Sequence, residues 1–90
     1  EKTKSKKISY FFIINKYHFL LLVLFIKSEL DKAVEKKNQG NVFFQSGNFK
    51  EAVECYTEAI NLCPKTDKDE LPKFYQNRAA AYENLVALYS

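Results

Sequence analysis

From Ser28 onward, apolar residues recur at helical spacing. Leu30 and Val34, then Phe43 and Phe44, mark the buried stripe of a first helix over about residues 29–46. Ser28 with Asp31 three residues later is an N-cap and its partner. Gly47-Asn48 makes a turn, and Asn48 with Glu51 repeats the capping pattern. Ala52, Val53, Tyr56, Ala59, Ile60 and Cys63 follow at spacings of one, three, three, one and three, which is one face of a second helix over about residues 49–62. Pro64 ends that helix, and Lys65–Glu70 is a charged loop. Asp69 is placed to cap a third helix over about residues 70–88, with Pro72 tolerated in its first turn. Leu71, Tyr75, Arg78, Ala79, Tyr82, Leu85 and Val86 are expected to form that helix's inner face.

Before Ser28 the composition is different. Phe, Ile, Lys, Asn and Tyr supply 17 of the first 27 residues but 22 of the remaining 63. The segment Ile8–Ile26 is mostly apolar and, as a helix of 19 residues, would span about 28 Å, close to the hydrocarbon thickness of a bilayer. Lys16 sits near its middle, beside Asn15 and close to His18, and a central lysine costs about 2.5–3.5 kcal/mol on insertion scales. The uninterrupted apolar run, Phe19–Ile26, is only eight residues. Three readings stay open for residues 1–27: a membrane anchor, translated non-coding sequence suggested by the A/T-rich codons of those five residue types, and a secretory signal. The signal reading lacks a small-residue cleavage site at Lys27-Ser28-Glu29-Leu30-Asp31.

Charge follows the same division. The net charge of +3 combines +5 over residues 1–27 (six lysines, one acid) with −2 over residues 28–90 (eight basic, ten acidic). A nucleic-acid surface needs Lys and Arg clustered on the folded part, so DNA or RNA binding is not expected. Cys55 and Cys63, eight apart on one helix, have Cα atoms about 12 Å apart, beyond the roughly 7 Å a disulfide allows. They read as reduced thiols of a cytosol-facing domain. No nucleophile–base pair, Gly-rich phosphate loop or metal-ligand spacing stands out, so no catalytic residue, cofactor or metal is expected. His18, the only histidine, reads as a chance polar residue in the apolar run.

The order of small and large residues carries more. Gly40, Ala52 and Ala59 let two helix backbones approach, Phe43 and Tyr56 fill the space between them, and Pro64 closes the unit. This resembles the tetratricopeptide (TPR) repeat, a helix-turn-helix of about 34 residues, here spanning Ala33–Thr66. Tyr75-Gln76-Asn77-Arg78-Ala79-Ala80-Ala81-Tyr82 is similar to the first helix of a second repeat, with Ala79 in the place of Gly40 and Tyr82 in the place of Phe43. The expected fold is therefore all-α, about one and a half TPR repeats preceded by an apolar segment read as helical. Residues 1–27 form the basic and apolar segment, residues 28–66 the first repeat, and residues 67–90 the first helix of a truncated second repeat.

Three blocks narrow the resemblance. Lys37-Asn38-Gln39-Gly40-Asn41, Cys55-Tyr56-Thr57-Glu58-Ala59-Ile60-Asn61-Leu62-Cys63-Pro64 and Phe74-Tyr75-Gln76-Asn77-Arg78-Ala79-Ala80-Ala81-Tyr82-Glu83 resemble the first repeats of the seventy-kilodalton import receptors of the mitochondrial outer membrane. The charged loop after Pro64 is similar too. The resemblance covers about residues 32–85. It implies a receptor on the mitochondrial outer membrane, facing the cytosol, that takes preproteins from cytosolic heat-shock chaperones. In that family a longer linker separates anchor from repeats, and further repeats follow, so the chain reads as a piece of such a receptor.

Lys37 and Asn41, four apart, share one helix face, and Asn77 lies on the next repeat's first helix, which in a solenoid lines the same groove. Lysine offers a compact charge with three donors, and asparagine amides donate without adding charge. Both suit a peptide carboxylate. The resemblance implies that Lys37, Asn41 and Asn77 hold the end of chaperone tails ending Glu-Glu-Val-Asp, with Lys and Arg of a third repeat completing the clamp. Arg78 reads as structural. Two other readings compete: a soluble, cytoplasmic TPR co-chaperone module, and a regulatory TPR domain of a larger enzyme. The chain itself is expected to be a protein-binding scaffold and not an enzyme.

Overall fold

The computed structural model describes the backbone of residues 2–89 and the side chains of residues 15–89. Among the described residues three α-helices run in order: α1 (Lys2–Gln45), α2 (Phe49–Leu62) and α3 (Leu71–Leu88). The described residues contain no strand, which matches the all-α expectation. α1 packs against α2, and α2 against α3.

α1 does not begin at Ser28. It is one helix of 44 residues, and Ser28 lies inside it, so the expected Ser28–Asp31 cap is not formed. The physical reason is that no Gly or Pro interrupts residues 2–39, and the Leu-rich run before Ser28 has good helix propensity. The composition break coincides instead with a change in burial. Residues 15–28 are all exposed, and Glu29 and Leu30 are the first to be partly covered. Phe19–Ile26 thus presents its apolar side chains to solvent on every side. Of the segment Ile8–Ile26 considered as an anchor, the side chains of residues 8–14 lie outside those described. Among the described residues, no helix is long and apolar enough to cross a membrane.

α1 ends where Gly47 adopts φ +82°, a left-handed conformation that costs glycine nothing. Gly47 N–H donates to Phe44 O at 3.1 Å and Asn48 N–H to Phe43 O at 2.8 Å, the paired bonds of a Schellman motif. Phe44 and Phe49 stack edge to face across this turn, ring centres 5.2 Å apart. Asn48 occupies the N-cap position of α2 as expected, but its side chain makes no capping bond. α2 closes at Cys63-Pro64, where Lys65 Nζ donates to Ile60 O at 2.9 Å and so serves one of the carbonyls the helix end leaves open.

The third helix departs from expectation at its start and on its inner face. Glu70, not Asp69, is the N-cap residue of α3, and it makes no side-chain cap bond. The backbone is held one step earlier: Asp67 Oδ1 accepts from Asp69 N–H at 3.1 Å and from Glu70 N–H at 2.7 Å. Pro72 sits in the first turn as expected. The side chains of α3 buried on α2 are Phe74 and Ala81, neither of which belongs to the expected face. Tyr75, Ala79, Tyr82 and Val86 instead fall on the exposed side. Leu71, Arg78 and Leu85 are half-buried.

Among the described residues the core has two parts. Ala33, Ala59, Ile60, Cys63 and Phe74 form one, flanked by Leu30, Val34, Leu62 and Leu71. Ala52, Val53, Tyr56 and Ala81 form the other, flanked by Phe43 and Phe44. Gly40 is what allows the second: a Cβ there would lie 2.6 Å from Tyr56 Cε1, well inside contact distance. Cys55 and Cys63 are free thiols, and burial pushes both up from their ordinary value. They are protonated at neutral pH and correspondingly inert, since the thiolate is the reactive form.

Candidate functional site: an asparagine-lined recess between the first and third helices

α1 and α3 flank α2, and residues from all three helices meet in an open recess of about 230 Å³ lined by Asn41, Phe44, Tyr56, Asn77 and Ala80. Two of the three residues expected to bind a carboxylate, Asn41 and Asn77, therefore face one cavity. The floor is the Tyr56 ring, which the missing Cβ of Gly40 allows close to α1.

Lys37 is not in the lining. It stands one helical turn before Asn41, with its ammonium turned toward the start of α3, 3.9 Å from Glu70 Oε2 and 6.0 Å from the centre of the Phe74 ring. The contact with Glu70 is an ion pair too long for a hydrogen bond, and Glu70 Oε2 is buried with no hydrogen-bond partner among the described residues. Glu70 Oε1 is 3.5 Å from Lys73 Nζ. Lys36 takes a different course. Its ammonium reaches Glu58 on α2 at 3.0 Å, and that bond holds its pKa above the usual lysine value. The adjacent lysines therefore have separate roles, Lys36 joining α1 to α2 and Lys37 joining α1 to the start of α3.

Tyr56 Oη donates to Asn41 Oδ1 at 2.6 Å, at the short end for O–H···O. Burial raises the Tyr56 pKa, so the hydroxyl keeps its proton. No hydrogen bond among the described residues uses Asn41 Nδ2 or the Asn77 amide. The recess thus offers uncharged N–H donors, suited to an acceptor-only group, and Lys37 stands one helical turn away along α1 with its ammonium at Glu70. Arg78 stays structural: Nη1 donates to Thr57 Oγ1 on α2 at 3.4 Å, and the guanidinium lies 5.3 Å from the Tyr75 ring centre. Among the described residues there is no group of His, Cys, Asp and Glu able to hold a metal.

Tyr56 and Glu70 were not legible as site residues from sequence. A signal for Tyr56 existed: Asn41 and Tyr56 stand seven and eight residues either side of Asn48, so an antiparallel hairpin places them opposite one another. Glu70 had no such signal, because its position depends on how the charged loop folds.

Residues 40–86, just over half of the chain, match the TPR repeat family. The chain belongs to that family. It is a TPR protein-binding scaffold. Over 58 residues it is 53% identical to the mitochondrial import receptor subunit TOM70 of Rattus norvegicus, covering 64% of this chain and 10% of that protein. It is 43% identical over 54 residues to protein unc-45 homolog B of Danio rerio, covering 60% of this chain and 6% of that protein. It is also 41% identical over 51 residues to the DnaJ homolog subfamily C member 7 homolog of Schizosaccharomyces pombe, covering 57% of this chain and 10% of that protein. The chain thus spans a tenth or less of the length of these relatives.

Proposed function

We propose that this chain is the chaperone-docking entry of a mitochondrial outer-membrane import receptor, facing the cytosol, and that it works by binding and not by catalysis. Its partners are cytosolic heat-shock chaperones whose tails end Glu-Glu-Val-Asp, and preproteins are handed on from them. The observation that carries the reading is that Asn41 of α1 and Asn77 of α3 line one recess with their amide donors uncommitted. The greater identity to the import receptor subunit supports the mitochondrial placement. In this reading the terminal carboxylate of the tail enters the recess, Asn41 and Asn77 donate to it, and Lys37 supplies the positive charge after exchanging Glu70 for the ligand.

The test is chemical-shift mapping with a peptide ending Glu-Glu-Val-Asp. The side-chain amides of Asn41 and Asn77 are expected to move together, with the Tyr56 ring. Shifts confined to Phe19–Ile26, with both amides unmoved, contradict the reading. A second reading, a cytoplasmic TPR module outside mitochondria, is favoured by the matches to unc-45 homolog B and the DnaJ homolog. It uses the same recess. Locating the full-length protein in fractionated cells separates the two.

A further inference from the structure

We propose that Tyr56 is a positioning residue for the recess: its hydroxyl fixes the Asn41 side-chain amide so that the N–H donors, and not the carbonyl oxygen, face the ligand. The inference rests on the carboxylate-binding reading above and adds a residue to it. A primary amide is planar, with oxygen and nitrogen on opposite sides of the Cγ atom. Whichever is pinned on one side leaves the other on the far side. Tyr56 Oη lies 2.6 Å from Asn41 Oδ1, so the oxygen is the pinned atom, and Asn41 Nδ2 is left for the recess that Asn41 itself lines.

The choice matters for an anionic ligand. An Asn41 free to rotate presents Oδ1 part of the time, and a carbonyl oxygen facing a carboxylate repels it. A bond between an uncharged donor and acceptor sets the orientation without adding charge to the site. Tyr56 is itself fixed. It is 2% exposed, with Ala52, Val53 and Ala81 in the same part of the core and the Gly40 backbone against its ring. The hydroxyl is therefore delivered to Asn41 from a side chain with little freedom to move, and packing energy in the core is converted into donor orientation in the recess. A phenylalanine would fill the same space and set nothing.

The experiment compares two peptides ending Glu-Glu-Val-Asp, one with a free C-terminal carboxylate and one amidated, titrated against the full 90-residue chain. The quantity read is the ratio of the two affinities. Loss of folded population lowers both affinities equally and leaves the ratio unchanged, so a merely structural effect of a substitution does not register. Tyr56→Phe is expected to lower the ratio about threefold to tenfold, the range set by one neutral hydrogen bond. Asn41→Ala lowers it at least as far, and Tyr56→Phe added to Asn41→Ala lowers it no further. Asn41→Asp, which keeps an acceptor for Tyr56 and removes the donors, brings the ratio below that of Asn41→Ala. If Tyr56→Phe keeps the wild-type ratio while Asn41→Ala lowers it, the positioning role is overturned and carboxylate binding stands. If Tyr56→Phe lowers the ratio further in the Asn41→Ala background, Tyr56 does not act through Asn41. A wild-type ratio of one overturns both readings together.

Discussion

Lys37 Nζ stands 3.9 Å from Glu70 Oε2, so the only cation among the three proposed ligand-binding residues already has a carboxylate beside it in its own chain. Glu70 is held there by backbone, through its N–H to Asp67 Oδ1 at 2.7 Å, while Oε2 itself lacks a hydrogen bond. A ligand carboxylate must compete with this internal one. Glu70→Gln removes the competitor and is expected to raise affinity for a free-carboxylate tail about twofold to fivefold, the worth of a partly exposed ion pair. Calorimetric titration checks this. An unchanged or lower affinity would mean that Lys37 does not turn to the ligand.

Gly40→Ala tests the contact that brings α1 onto Tyr56. Alanine normally gains about 1 kcal/mol over glycine inside a helix. Here its Cβ would lie 2.6, 2.8 and 3.1 Å from three atoms of the Tyr56 ring, and overpacking of that kind costs about 1–3 kcal/mol. The ring cannot swing clear without giving up its bond to Asn41. A net loss of about 0–2 kcal/mol is expected in denaturant unfolding. A gain in stability would mean the ring has somewhere else to go.

Alkaline pH should weaken the fold. Burial raises Cys55 and Cys63 above 9.0 and Tyr56 above 10.0. All three ionise more readily in the unfolded chain, so from about pH 9 upward the unfolded state sheds protons first and gains stability relative to the fold. The contribution is fully present below pH 9 and is lost as pH rises through the folded values. Melting temperature should fall between pH 8 and pH 10.5, and should fall less in the Cys55→Ala, Cys63→Ala double variant. Equal slopes in the two proteins would show that the thiols are not responsible.

The 90-residue chain should melt broadly and at low temperature. TPR units bury their faces against neighbours, and about three are needed for independent stability. Tyr75 and Tyr82 on α3 are 46% and 47% exposed, so that side of α3 adds little. Circular dichroism of the chain checks this, and a sharp transition at high temperature in a monomer would contradict it.

What could be read from sequence depended on whether one period dominated. α2 has buried residues on one side only, so Ala52, Val53, Tyr56, Ala59, Ile60 and Cys63 identified its face and its limits correctly. α3 carries apolar residues on two sides. Phe74 and Ala81 meet α2, while Tyr75 and Tyr82 form a second apolar side exposed in this chain, and the two patterns merged into one misplaced face. Ser28, Asn48 and Asp69 have the right chemistry for capping, but none of them makes a side-chain cap bond. Ser28 lies within a continuing helix, Asn48 makes no side-chain cap bond, and Asp67 does the work assigned to Asp69. In the site, helical spacing and resemblance place Asn41 and Asn77 on the helices that line the recess, but the ion pair of Lys37 with Glu70 depends on loop geometry that the residue pattern does not encode.

Amidation of the peptide tests most directly whether the recess recognises a C-terminal carboxylate. Amidation removes the terminal charge and replaces one acceptor oxygen with an NH2 donor, leaving the side chains of the tail unchanged. A charge-assisted hydrogen bond is worth about 1.5–3 kcal/mol, so the wild-type chain should bind the free-carboxylate peptide roughly tenfold to a hundredfold more tightly than the amidated one. Equal binding of the two would contradict the account, whatever the absolute affinity.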